Sequence, residues 1–82
     1  AALWGEINVQ GGRVQQTNFH DYRVLRIAEV PIIETHLVDS DEPPGGIGEP
    51  ATALVAPAVC NAIYAATKQR LRSLPIARHK LA

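Results

Sequence analysis

The stretch of this sequence best suited to chemistry is Pro44-Gly45-Gly46-Ile47-Gly48-Glu49-Pro50-Ala51, which sets one carboxylate between glycine-rich backbone and an alanine-rich run. A carboxylate in such a place can serve as a general base if a substrate proton comes within reach. It can also be an ordinary acid at a helix start, favoured by the positive end of the helix dipole, and the local pattern alone favours that plainer reading. Gly46, Gly48 and Ala51 match the G-x-G-x-x-A spacing of dinucleotide-binding turns. That fingerprint needs an acid about 20 positions further on and a second parallel strand. No acid follows Glu49, and the 15 residues after Thr67 leave no room for the rest of the unit, so a nicotinamide fold is rejected. Asp39-Ser40-Asp41 opens like a calcium loop, but Pro43 and Pro44 occupy the next ligand position and the glycine position. His20, His36 and His79 show no paired metal spacing, so no metal ligand is assigned. Cys60, the single cysteine, cannot form an internal disulfide, and its apolar setting suits a buried spacer better than a nucleophile.

The elements that must position Glu49 follow from periodicity. Ile7-Asn8-Val9-Gln10 and Arg13-Val14-Gln15-Gln16 alternate around Gly11-Gly12, which predicts a hairpin because adjacent glycines supply the positive φ angles of a tight turn. The stretch from Arg23 to Val30 is read as extended or loop. Ile32-Ile33-Glu34-Thr35-His36-Leu37-Val38 is rich in β-branched residues and predicts a strand, with Ile33, Thr35 and Leu37 on one face. Residues 39–50 hold three prolines and three glycines and predict a loop. Residues 51–67 predict an alanine-rich helix, with Pro57 kinking it or standing in its first turn. This helix has no polar face, and a helix apolar all round is a buried one. One hairpin and one strand cannot surround it, which implies a larger body. The expected fold is α+β, divided into a β-rich segment at 1–38, a catalytic loop at 39–50, a helix with a basic end at 51–72 and a tail at 73–82.

With 46% hydrophobic and 20% charged residues the composition is that of a globular chain, and 82 residues build only a marginal core alone. The net charge of zero gives no reason to expect nucleic acid or an anionic membrane as a partner. Eight acids and three bases occupy the first 49 residues, whereas five bases and no acids follow. Helix electrostatics, with acids before the helix and bases after it, explains this better than a basic docking tail. The first residues lack the charged start and apolar run of a signal peptide, and no 18-residue uncharged apolar segment suits a membrane span.

The run Gly46-Ile47-Gly48-Glu49-Pro50, followed by Ala56-Pro57-Ala58-Val59-Cys60-Asn61-Ala62-Ile63-Tyr64-Ala65-Ala66-Thr67 and Arg70-Leu71-Arg72-Ser73-Leu74-Pro75-Ile76, closely resembles the C-terminus of molybdopterin-binding large subunits. These belong to the xanthine dehydrogenase and aldehyde oxidase family of molybdenum hydroxylases. Gly12-Arg13-Val14-Gln15-Gln16-Thr17-Asn18-Phe19-His20-Asp21-Tyr22 and Pro31-Ile32-Ile33-Glu34 are most similar to the isoquinoline 1-oxidoreductase beta subunits within it. The resemblance implies a fragment of a larger molybdopterin-binding domain, with Glu49 as the active-site base and Gly46, Ile47 and Gly48 beside the cofactor. It further implies hydroxylation of an N-heterocycle or aldehyde with oxygen drawn from water. The implied cofactor is molybdenum-molybdopterin in its cytosine dinucleotide form, with iron-sulfur clusters on a partner small subunit. The implied partners are that subunit, the remainder of the large subunit and a small organic substrate; the 82 residues alone would be inactive. Lys68-Gln69 departs from the family pattern, where a glycine often follows Thr67, and puts the helix C-cap in question. The rival reading is a standalone interaction domain that docks through its exposed apolar helix without catalysis.

Overall fold

The structure, a computed structural model, describes residues 1–81. Ala82, the last residue of the expected 73–82 tail, lies outside the described residues.

The expected hairpin forms. Strand β1 (Val9–Gln10) pairs antiparallel with β2 (Arg13–Val14), Val9 opposite Val14 and Gln10 opposite Arg13. Gly11 and Gly12 turn the chain with φ of 56° and 75°, values that side-chain-bearing residues adopt only at a steric cost. The pairing continues through the Gln15 N–H on the Asn8 carbonyl at 2.8 Å. Beyond it the Asp21 carboxylate accepts the Thr17 and Asn18 backbone N–H groups at 3.0 Å and closes a tight loop. Those backbone donors, Asn18 first and Thr17 next, hold the Asp21 carboxyl below its usual range.

Helix α1 (Thr52–Thr67) matches the alanine-rich run, and Pro57 stands inside it rather than in its first turn. The missing glycine at its end is replaced by a residue that accepts the same backbone geometry. Lys68 takes the left-handed conformation, φ 63°, and its N–H reaches the Tyr64 carbonyl at 2.8 Å. The Thr67 hydroxyl donates to the Ile63 carbonyl at 2.7 Å and accepts the Gln69 N–H at 3.1 Å, completing the stop.

Two expectations are corrected. Residues 32–38 form no strand; they run as extended, exposed chain with no ladder partner among the described residues. A strand needs a neighbour to take its backbone hydrogen bonds, and the two-residue strands of the hairpin do not supply one. Nor does helix electrostatics account for the charge asymmetry, because no acid stands in the first turn of α1 and no base in its last. Three of the five bases, Lys68, Arg70 and Arg78, have local partners instead. Arg70 folds back onto the Tyr64 ring, 3.9 Å from its centroid, and donates to the Asn61 side-chain oxygen at 2.7 Å, while Arg78 pairs with Glu6.

The small core lies where the two ends of the chain meet. The Ile76 and Ala77 N–H groups donate to the Ala2 and Leu3 carbonyls at 3.0 and 2.9 Å. Around this clasp Leu71, Pro75 and Ile76 are the buried residues among those described. The expected burial of α1 is not realised within the chain itself: no residue of the helix is buried. Its apolar side chains, Leu54 at 66% and Val55 at 51% among them, are exposed.

Candidate functional site

Glu49 lies at the end of the glycine-proline loop, three residues ahead of α1. The local sequence produces this placement directly. Pro50 has φ suited to the second position of a turn, and the Glu49 carbonyl accepts the Thr52 N–H at 3.0 Å, so the chain reverses into the helix at Glu49-Pro50-Ala51-Thr52. Ala51, the N-cap, offers no side-chain acceptor, and the Leu54 N–H bonds to its carbonyl at 3.0 Å. Among the described residues the Glu49 carboxylate takes no hydrogen bond and no ion pair, and Glu49 is exposed. The plainer reading of Glu49 as an acid engaged in the first helical turn therefore lacks a contact to support it, since the dipole effect falls off within that turn.

Gly46, Ile47 and Gly48 sit immediately before it, all exposed, with Ile47 at 90%. A Cβ built on Gly45, Gly46 or Gly48 would meet nothing within 4 Å, and none of the three has a positive φ. Gly11 and Gly12 are glycine for conformation; Gly5 is glycine for space, because a Cβ there would stand 2.6 Å from the Ala1 carbonyl oxygen. Neither reason applies to the three glycines before Glu49. What a glycine offers besides conformation and internal space is close approach of another group to its backbone.

Sequence reasoning missed a second feature. Trp4, Tyr22, Val24, Leu25, Val55 and Val59 line a largely apolar groove of about 500 Å³ between the N-terminal segment and α1. Arg23 stacks on Trp4, 3.7 Å from the ring centroid, and pairs with Glu29. The Arg26 backbone N–H, followed by the Arg23 guanidinium, holds the Glu29 carboxyl below its usual range. No periodicity announces a groove assembled from positions so far apart, and the Trp4–Arg23 stacking has no counterpart in sequence spacing. Among the described residues no three His, Cys, Asp or Glu side chains gather where they could hold a metal ion. No helix of the described residues is long and apolar enough to cross a membrane.

Comparison with known proteins locates the segment. It is 41% identical over 75 residues to isoquinoline 1-oxidoreductase subunit beta of Brevundimonas diminuta, covering 92% of this chain and 10% of that protein. It is 39% identical over 83 residues to a membrane-bound aldehyde dehydrogenase of Gluconacetobacter polyoxogenes whose name specifies pyrroloquinoline quinone, covering 93% of this chain and 11% of that one. It is 30% identical over 80 residues to the xanthine dehydrogenase molybdenum-binding subunit of Escherichia coli, covering 92% and 11%. No family model and no solved structure matches the chain. The chain spans about a tenth of the length of these curated relatives. A similarity that runs through more than nine tenths of this chain, in relatives that are subunits of isoquinoline- and xanthine-oxidising enzymes, shows that the chain is a segment belonging to the xanthine dehydrogenase and aldehyde oxidase family of molybdenum hydroxylase large subunits.

Proposed function

We propose that this chain is the C-terminal active-site segment of a molybdenum-dependent oxidoreductase that hydroxylates an N-heterocyclic aromatic or an aldehyde, with Glu49 as its base. The observation that carries the reading is the run Gly46-Ile47-Gly48-Glu49. Its glycines are required neither by backbone conformation nor by space within the chain, and its carboxylate is uncommitted to any neighbour. That donor set fits a flat, bulky cofactor: the backbone of Gly46, Ile47 and Gly48 would lie against it, and the carboxylate would face the substrate side. The molybdenum cofactor, in its cytosine dinucleotide form, would supply two-electron redox chemistry there, with iron-sulfur clusters on a partner subunit as the proposed electron acceptors.

The chain's own residues supply position and a proton acceptor. The turn closed by the Glu49 carbonyl and the Thr52 N–H ties the Glu49 backbone to the start of α1, so seating the helix would bring the base with it. With no internal partner to displace, the Glu49 oxygens are free to accept a proton as oxygen is added to the substrate carbon. The remainder of the subunit must complete the pocket, so the 82 residues alone are expected to show no turnover.

The test is Glu49→Gln in the full-length, cofactor-loaded subunit. Amide for carboxylate preserves shape and removes the base, and kcat should fall by about 10²- to 10⁴-fold with molybdenum content unchanged. Near-normal turnover at full metal content would refute the assignment. Metal and quinone analysis of the same preparation separates the cofactor readings: a subunit carrying pyrroloquinoline quinone and no molybdenum would overturn the molybdenum proposal.

A further inference from the structure

We infer that the groove between the middle of α1 and residues 70–74 is a binding site for a free phosphate monoester, held by Arg70 and Arg72. The site is separate from Glu49 and does not depend on its role.

The groove has a volume of about 370 Å³, and Pro57, Asn61, Arg70, Leu71, Arg72 and Ser73 are among its lining residues. That size falls within the ~300–1,000 Å³ of small-ligand clefts. Its charge is one-sided. No Asp or Glu follows Glu49 in the chain, and Glu6, the acid that reaches this part of the fold, is engaged by Arg78. Arg70 is oriented by neutral partners: its guanidinium lies 3.9 Å from the Tyr64 ring centroid and donates to the Asn61 side-chain oxygen at 2.7 Å. Those contacts fix the planar group without cancelling its charge, and most of its N–H donors are left over. The Arg72 side chain takes no ion pair, hydrogen bond or ring contact among the described residues. Neither charge is neutralised within the chain.

Two guanidinium groups lining one groove, beside the Asn61 amide and the Ser73 hydroxyl, suit an oxyanion, because the planar fork binds carboxylate or phosphate oxygens in pairs. Charge selects between the two. A phosphate monoester carries about −1.5 to −2 at neutral pH and matches both arginines, whereas a carboxylate matches one and leaves the other unpaired. The wall selects a monoester over inorganic phosphate: Pro57 and the buried Leu71 offer apolar surface to an organic group. The negative end of the helix dipole does not oppose the anion, since its effect is confined to the last turn and Asn61 stands six residues before Thr67. A phosphate here also gives a use to Arg70 and Arg72, bases that the dipole of α1 does not explain.

Equilibrium dialysis of n-butyl phosphate against the full-length, cofactor-loaded subunit tests this, with inorganic phosphate and acetate as comparison probes. The butyl ester should bind at a single site, more tightly than inorganic phosphate and much more tightly than acetate. Arg72→Gln should weaken it about tenfold or more with the thermal midpoint unchanged, because that side chain has no partner to lose. Arg72→Lys, which keeps the charge and loses the fork, should fall between the two. Arg13→Gln removes the same charge from the exposed hairpin and should bind like the parent. Equal affinity in the Arg72→Gln and Arg13→Gln subunits, acetate binding as tightly as the ester, or no binding to the loaded subunit would each overturn the inference. Binding that appears only after the cofactor is removed would assign the groove to the cofactor and overturn the free ligand. The Glu49→Gln subunit should bind the ester as the parent does, so loss of catalysis and loss of this site are read separately.

Discussion

Expressed by itself, the 82-residue chain is expected not to behave as a cooperatively folded monomer, and the structure gives the size of the deficit. Its accessible surface is 7581 Å² for a mass of 8.9 kDa. A compact monomer of that mass exposes about 4,800 Å², and its extended chain about 12,900 Å². Roughly 2,800 Å² that a self-sufficient domain would cover is therefore left open, more than three times the ~800 Å² each partner contributes to a standard interface. The radius of gyration agrees: 16.6 Å is observed, against about 12 Å for a folded chain of this length and about 28 Å for an unfolded one. With Leu71, Pro75 and Ile76 the buried residues among those described, no ordinary core opposes the entropy of the chain. Sedimentation velocity with urea titration followed by far-ultraviolet circular dichroism checks this. The expected result is either self-association or a broad, non-sigmoidal loss of a partial helix signal. A single monomeric species with a sigmoidal transition and a slope of about 1 kcal/mol/M or more would refute the reasoning and favour a standalone domain.

Two further outcomes are specific. Gly48→Ala in the full-length subunit should leave the thermal midpoint within a degree or two, since its Cβ meets nothing in this chain, yet lower kcat on the order of 10²-fold with reduced molybdenum content, because the methyl group displaces what lies against the backbone. Unchanged metal content and turnover would show that the glycine faces solvent. The Asp21 carboxyl is depressed in the folded loop, so its stabilising contribution is complete above the ordinary aspartate pKa and is lost as pH falls through the lower, folded value. Thr17 and Asn18 amide chemical shifts, titrated in the full-length subunit, should accordingly show a midpoint below the usual aspartate range; a midpoint at or above it would mean that the loop is open.

What was legible in the sequence was whatever the chain stabilises by its own near neighbours. Gly11-Gly12 specifies the hairpin turn because both residues need positive φ, and the alanine-rich run from Thr52 to Thr67 carries its own propensity for helix. Lys68 shows how local chemistry replaces a missing glycine: the Tyr64 carbonyl takes its N–H, and the Thr67 hydroxyl ties down the next residue. The clasp between Ala2, Leu3, Ile76 and Ala77, and the Glu6–Arg78 pair across 72 positions, left no periodic trace to read. The failure at residues 32–38 is of another kind, since β-branched composition describes a surface awaiting a neighbour and cannot create one.

The loop before α1 extends the same reasoning to the site. Six glycines occur in the chain, and three are accounted for by the structure: Gly11 and Gly12 by φ, Gly5 by the Ala1 backbone. Gly45, Gly46 and Gly48 remain, adjacent to the one carboxylate whose placement suggests chemistry, and joined by exposed Ile47. A glycine in a flexible loop increases the entropy lost on ordering, so three in four positions are unfavourable unless ordering supplies a compensating contact. On the proposed reading α1 would be held by the body of the subunit, and the turn from Glu49 to Thr52 ties the end of the loop to that helix. Seating the helix would then pin the loop at that end, and part of the ordering entropy would be met before substrate arrives. Under that arrangement Glu49 is a pre-positioned base in the full-length enzyme and a solvated acid in the isolated segment, from the same residues and the same local turn.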